Sequence, residues 1–98
     1  MKSILQEDKT KCFLCERNPC GDHLDKHHVF GGPCRDLSEK YGLFIFIHHH
    51  RCHIFGDESV HRNAEVRKAV QRYAQEKAMQ AYGWTESDFI KLFMRNFL

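Results

Sequence analysis

Candidate metal ligands are concentrated in one part of this chain. The 98 residues include five cysteines and eight histidines, and all of the cysteines and seven of the histidines lie between Lys11 and His53. A chain this short buries only about two-thirds of the surface that it exposes when unfolded, so domains of this size often depend on a metal or on disulfides. The sequence therefore predicts a small, loop-rich fold built around ligands.

Composition and charge argue against several classes of protein. No apolar run approaches the roughly 20 residues that a membrane span needs, and no basic, apolar leader is present at the start, so we expect a protein of the cytoplasm. Disulfides are rare in that compartment, which favours metal binding by the clustered cysteines. Fifteen basic and 13 acidic residues give a formal net charge of +2, which is too small for a strong global field, so the distribution of the charges must decide whether the protein binds nucleic acid.

Two short strands are predicted in the ligand-rich half. The stretch "KHHVF", Lys26–Phe30, ends at the turn signal Gly31-Gly32-Pro33, and "LFIFI", Leu43–Ile47, is an apolar run after a glycine. From Asp57 onward the sequence is typical of helices. We expect one α+β domain over residues 1–98, with a ligand-bearing core in 11–63 and a helical part in 64–98.

Two helices are predicted in the C-terminal part. Apolar residues recur at three-to-four spacing along the first helix, and Gly83 is well placed to end it in the left-handed conformation. Thr85 and Asp88 resemble a capping box that opens the last helix. The apolar positions of the first helix are Val66, Val70, Tyr73, Ala74, Ala78 and Ala81, and those of the last are Phe89, Ile90, Phe93, Met94 and Phe97.

A structural zinc site is predicted from two pairs of ligands. Cys12-x2-Cys15 is a knuckle whose thiolates can reach one metal ion from a tight turn, and His49-x2-Cys52 supplies a second pair. Together they form a Cys3His set suited to tetrahedral zinc. Cys20 or His50 could replace one of these ligands. The alternative is that Cys12 and Cys15 are ordinary buried thiols.

Four further histidines predict a second metal site that is open to substrate. His27 and His28 stand together before the glycine turn, His53 follows the second knuckle, and His61 comes eight residues later. Imidazoles can hold a divalent cation while water and substrate fill the remaining positions, and an unligated histidine can act as a general base. With His28 as the base, this arrangement is typical of phosphodiester hydrolysis.

The order of these motifs resembles the HNH family of endonucleases. The matching stretches are "DKHHVFGGPCRDLSEKYGLFIFI" and "HHRCHIFGDESVHRN", and they are most similar to small phage and prophage HNH proteins akin to the recombination-enhancement nuclease that depends on RecA. The resemblance covers residues 12–63. It implies a ββα-metal finger, here with a structural zinc knuckle and two C-terminal helices, in a bacterial or phage-infected cell.

The resemblance also implies roles for individual residues. His27 would bind the catalytic cation, which could be Mg²⁺, Mn²⁺, Ni²⁺ or Zn²⁺, and His28 would activate the attacking water. His53 would be a second ligand and His61 a third, although many family members place that last ligand four residues after the previous one. Four residues after His53 stands Asp57, so either the helix is interrupted near Gly56, or Asp57 binds the cation and His61 contacts phosphate.

Two further departures from the family pattern concern the loop and the knuckle. No asparagine lies between His28 and His53, although the family's asparagine ties the loop between the strands through backbone hydrogen bonds. Ser38, Asp36 or Tyr41 could make that tie. The second knuckle is His-x2-Cys, where relatives usually have Cys-x2-His or Cys-x2-Cys, and either order offers zinc the same donor types.

DNA is the expected partner, and its backbone would be held by arginine and lysine. The candidates beside the predicted site are Arg35, Arg62, Arg51 and Lys26. Weak sequence preference is expected, because no recognition helix is evident. A recombinase filament is a further partner implied by the resemblance, and the size of the chain suits either a monomer or a homodimer.

Two other functions are compatible with the sequence. A zinc-stapled module could bind nucleic acid or a recombination partner without cutting, and a histidine-rich protein could store or sense metal. The first has no need of His28 beside His27, and the second has no need of a general base.

Overall fold

A two-stranded antiparallel sheet lies at the centre of the protein. The structure, a computed structural model, describes residues 2–15, 22–49 and 63–98. Strand β1 spans Leu24–His28 and strand β2 spans Phe44–His48, with Leu24 opposite His48 and His28 opposite Phe44. With the helices below, the described residues form a small α+β fold.

Both strands differ slightly from the predicted ranges. β1 begins two residues before Lys26 and ends two residues before Phe30, and β2 begins and ends one residue later than predicted. The end of β1 has a local cause. The Ser38 hydroxyl accepts a hydrogen bond from the Phe30 amide at 3.1 Å and donates one to the Phe30 carbonyl at 2.8 Å, so the backbone of Phe30 is bonded to a side chain instead of to β2.

The segment between the strands contains a helix that the sequence patterns did not predict. A 3₁₀ turn over Gly32–Cys34 leads into helix α1, Arg35–Tyr41. The helix ends at Gly42, which has a φ of 73°, a value that L side chains rarely adopt. A Cβ at Gly42 would also lie 2.6 Å from the carbonyl oxygen of Lys2. The N-terminal segment thus passes directly over the turn that joins α1 to β2.

The two predicted C-terminal helices are confirmed. Helix α2 spans Ala64–Tyr82 and helix α3 spans Glu86–Phe93. The Asn63 side chain accepts hydrogen bonds from two amides of the first turn of α2, and Gly83 ends that helix with a φ of 68°. The capping box of Thr85 and Asp88 is present. The predicted helical start at Asp57 lies outside the described residues.

Aromatic packing joins α3 to the sheet. The ring of Phe30, just beyond β1, has its centroid 5.4 Å from that of Phe89, 5.1 Å from that of Phe93 and 4.7 Å from that of Phe97. Buried alanines and a valine of α2 and the isoleucines of β2 complete this core: Val70, Ala74, Ala78, Ile45 and Ile47. In the described ranges, no helix has the length and apolar character needed to cross a bilayer.

We expect the substitution Phe89→Ala to lower the free energy of unfolding by about 3–5 kcal/mol, because Phe89 is fully buried against the rings of Phe30, Phe93 and Phe97. The matched control is Ile90→Ala, whose side chain is 38% exposed and whose loss should cost about 1 kcal/mol or less. Urea denaturation of both variants measures the difference. Equal losses would contradict the described packing of α3.

Candidate functional site

The strand register sorts the polar side chains onto the two faces of the sheet. Side chains alternate along a strand, so His28 shares a face with Lys26 and His48, whereas His27 shares the other face with Asp25. The pairing continues one residue beyond both strands, since the amide of His49 donates to the carbonyl of His23 at 2.8 Å. Neighbouring histidines, at 27 and 28 and again at 48 and 49, therefore point to opposite faces.

On one face, two thiols and one imidazole form a compact cluster. The sulfur atoms of Cys12 and Cys15 and a ring nitrogen of His48 all lie within 4.8 Å of one another, and Cys15 Sγ is 3.2 Å from His48 Nδ1. Bond lengths of about 2.3 Å to sulfur and 2.0 Å to nitrogen place two such donors about 3.5 Å apart around tetrahedral zinc. Cys12 and His48 are buried and Cys15 is half-buried. The residues Cys12, Cys15 and His48 could therefore hold a metal ion.

The imidazole in this cluster differs from the one that the sequence predicted. We expected His49 to join Cys12 and Cys15, but the structure brings His48 to the thiols and turns His49 to the opposite face, where its Nδ1 contacts Asp25. The spacing of the ligands in the sequence does not determine which face of the sheet each strand residue points to. In this sheet, the last residue of β2, His48, points to the face with the thiols. Cys52, the predicted fourth ligand, and the possible substitutes Cys20 and His50 lie outside the described residues.

His28, the predicted general base, is held by a carboxylate. Its Nε2 lies 2.9 Å from Glu39 Oε1, and Lys26 Nζ lies 2.7 Å from the same oxygen. Hydrogen bonds from Lys26 and then from His28 lower the pKa of Glu39 from 4.5 to about 2. The side chain of His28 is 12% exposed. An ionised Glu39 on α1 thus fixes the orientation of the His28 ring on β1.

The loop between the strands is tied by Ser38, one of the three residues considered for that work. Ser38 is fully buried, and besides its two hydrogen bonds to Phe30 its carbonyl accepts the amide of Leu43 at 2.8 Å. Asp36 is exposed on α1. The carbonyl of Tyr41 accepts the hydroxyl proton of Tyr82 at 2.7 Å, which joins α1 to α2 instead.

A second cluster, on the other face, was missed by the sequence analysis. Asp25 lies between two histidines: its Oδ1 is 3.1 Å from His23 Nε2, and its Oδ2 is 2.5 Å from His49 Nδ1. The two rings stack with centroids 4.8 Å apart. The sequence signal for this cluster is the spacing of His23 and Asp25, which places both side chains on one face of the strand. The spacing alone does not show that His49 lies opposite them.

Of the remaining predicted site residues, some lie within the described ranges and others lie outside them. His27 is half-buried and belongs to neither of the ligand groups found among the described residues, and Arg35 is exposed at the start of α1. The predicted ligands and basic residues that lie outside the described ranges are His53, His61, Arg51 and Arg62.

Comparisons of the chain with protein-family models, with curated proteins and with solved structures find no match.

The two neighbouring histidines provide a matched test of the thiol cluster. We expect His48→Ala to weaken zinc binding at Cys12 and Cys15 by at least about tenfold, or ~1.4 kcal/mol, and to lower thermal stability with it, because metal binding at such a site is part of folding. His49→Ala should leave this affinity unchanged. Competition of Co²⁺ and Zn²⁺, followed by the thiolate-to-cobalt charge-transfer band, measures both variants. The assignment fails if His49→Ala is the variant that loses the band.

The contact of Glu39 with Lys26 predicts a titration. Since Lys26 is the largest cause of the lowered pKa, Lys26→Met should raise the pKa of Glu39 from about 2 towards 4.5, as measured by carboxyl-carbon NMR. Because the folded-state pKa is the lower one, this pair stabilises the fold above pH 4.5, and the stabilisation is lost as the pH falls towards 2. Lys40→Met, on the exposed side of α1, is the control. A wild-type pKa near 4.5 would contradict the contact.

Proposed function

We propose that the protein is a metal-dependent HNH endonuclease that hydrolyses phosphodiester bonds of DNA with weak sequence preference. The observation that carries the proposal is the imidazole of His28, held by ionised Glu39 beside a lysine. A base oriented by a third group is the usual arrangement for activating a nucleophile. The resemblance of "DKHHVFGG" to the HNH motif supports the same residue as the base.

The carboxylate of Glu39 determines which nitrogen of His28 can act. An ionised carboxylate only accepts hydrogen bonds, so the proton of neutral His28 is assigned to Nε2, and the lone pair is on Nδ1. In the proposed reaction, Nδ1 takes a proton from a water molecule as the water oxygen bonds to phosphorus. The bond from phosphorus to the leaving oxygen breaks, that oxygen takes up a proton from solvent water, and His28 returns its proton to the solvent.

His27, with His53 and His61, would hold the catalytic cation. Neutral imidazole suits Ni²⁺ and Zn²⁺, and His27 is half-buried on β1 beside the proposed base. When bound, the cation supplies positive charge that stabilises the charge developing on the phosphate oxygens and the leaving group. A DNA backbone that lay along β1 would meet His27 from one face of the strand and His28 from the other.

Basic side chains on the His28 face fit a polyanion. Lys26 lies with its Nζ 4.1 Å from the centre of the Phe44 ring, and it borders a cavity of about 650 Å³ that two further lysines, Lys2 and Lys9, also line. Phosphate contacts by lysine position a nucleic acid without reading its bases. Arg35 on α1, with Arg51 and Arg62, would extend this contact.

The thiol cluster would give the proposed nuclease a structural zinc site. Cys12, Cys15 and His48 would hold the ion, with Cys52 as the proposed fourth ligand. Phe13 next to Cys12 donates its amide to the carbonyl of Phe46 at 2.9 Å. Zinc at this position would therefore fix the N-terminal segment against β2, on the same face as His28.

The proposed base is tested by cleavage of supercoiled plasmid with Mg²⁺, Mn²⁺, Ni²⁺ or Zn²⁺. We expect His28→Ala to lower the rate by about 10²–10⁴-fold, the usual contribution of a general base, with metal content and circular dichroism unchanged. Glu39→Gln should lower the rate by a smaller factor, because the glutamine amide oxygen still accepts a hydrogen bond from the ring but carries no negative charge, and the ring keeps its basic nitrogen. Glu76→Gln, exposed on α2, is the control.

Two outcomes would overturn the proposal. Cleavage by His28→Ala at the wild-type rate would exclude His28 as the base. A wild-type protein that binds DNA but cuts it with none of the four cations would favour the non-cleaving binding module.

A further inference from the structure

We propose that His23, Asp25 and His49 form a second, separate binding site for a first-row divalent cation. The proposal stands on the geometry of these residues and does not depend on DNA cleavage. The site lies on the sheet face opposite the cluster of Cys12, Cys15 and His48, so it is a different site from the structural zinc.

The distances between the donor atoms fit one cation. The nitrogens of His23 and His49 and an oxygen of Asp25 all lie within 4.8 Å of one another, and each histidine is within 3.1 Å of the carboxylate. Bonds of about 2.0–2.2 Å to nitrogen and oxygen place neighbouring ligands of one ion about 3.3 Å apart. Small side-chain rotations would bring all three donors to that spacing.

The backbone holds these side chains in place. His23 and His49 stand directly opposite each other, as the hydrogen bond from the His49 amide to the His23 carbonyl shows. Asp25 is two residues from His23 on the same strand and therefore on the same face. A cation here would be held by three side chains whose positions follow from strand pairing, and rigid elements position ligands more accurately than loops do.

The donor set predicts which ions bind. Two imidazoles and one carboxylate suit Zn²⁺, Ni²⁺ or Fe²⁺, whereas Mg²⁺ and Ca²⁺ prefer ligands that are all oxygen. The side chains of His23, Asp25 and His49 are 72%, 24% and 38% exposed. Three protein ligands at a partly exposed position leave room for water or an anion in the remaining coordination positions, as in catalytic zinc sites.

Zinc titration of variants tests the site. We expect His23→Ala to bind one equivalent of Zn²⁺ fewer than wild type after dialysis, measured by elemental analysis, and Asp25→Asn to do the same. Because the His23 side chain is 72% exposed, its removal leaves the core packing intact, and circular dichroism checks the fold. Asp36→Asn, a carboxylate exposed on α1, is the matched control and should keep the wild-type stoichiometry.

A second readout separates this site from the other proposals. His23→Ala should keep the thiolate-to-cobalt charge-transfer band, because no thiol is involved in the second site. Unchanged zinc stoichiometry in both His23→Ala and Asp25→Asn would overturn the inference and would show that the cluster is only a pair of histidine–aspartate hydrogen bonds. That result would leave the nuclease proposal standing, since plasmid cleavage by wild type and His28→Ala decides the latter.

Discussion

The antiparallel pairing of Leu24–His28 with Phe44–His48 is the constraint on which both ligand clusters depend. Adjacent residues of a strand face opposite sides, and a shift of the register by one residue would exchange those sides. In the observed register, His48 meets the thiols and His49 meets Asp25. The neighbouring residues His48 and His49 are thereby divided between a buried cluster with thiol donors and a more exposed cluster with nitrogen and oxygen donors.

The two C-terminal helices, α2 and α3, were predictable because their boundaries are set by local chemistry. Thr85 and Asp88 satisfy each other's backbone amides, and Gly83 takes up a backbone conformation that other residues rarely adopt. Both signals act within a few residues. The strand limits were less accurate because Ser38, eight residues along the chain, withdraws Phe30 from the ladder. Helix α1 was missed since its seven residues are too few to show a periodic pattern.

The candidate site shows the same division between local and long-range information. The pair Cys12 and Cys15 is recognisable from its spacing alone, since both thiols come from one turn. The histidine that joins the two thiols depends on which residue of β2 points to their face of the sheet. The sequence predicted His49 in that position, and the structure places His48 there. The hydrogen bond between Glu39 and His28 also depends on the packing of α1 against β1. No sequence motif indicates this contact.

The two proposed metal sites lie on opposite faces of the sheet. On one face, the proposed structural zinc lies on the same side of the sheet as His28 and Lys26. On the other face, the exposed cluster around Asp25 is separated from the thiols by the thickness of the sheet. Metal at either position would stabilise the same strand pairing.

The register itself is measured most directly by NMR of the folded protein. The pair His23 and His49 is joined by a backbone hydrogen bond, so the next pair, Leu24 and His48, is of the close, non-hydrogen-bonded type, with Cα atoms about 4.5 Å apart. A strong nuclear Overhauser effect between the Hα atoms of Leu24 and His48 is therefore predicted. The same effect between Leu24 and His49, or between Leu24 and Ile47, would show a register shifted by one residue and would contradict the assignment of both clusters.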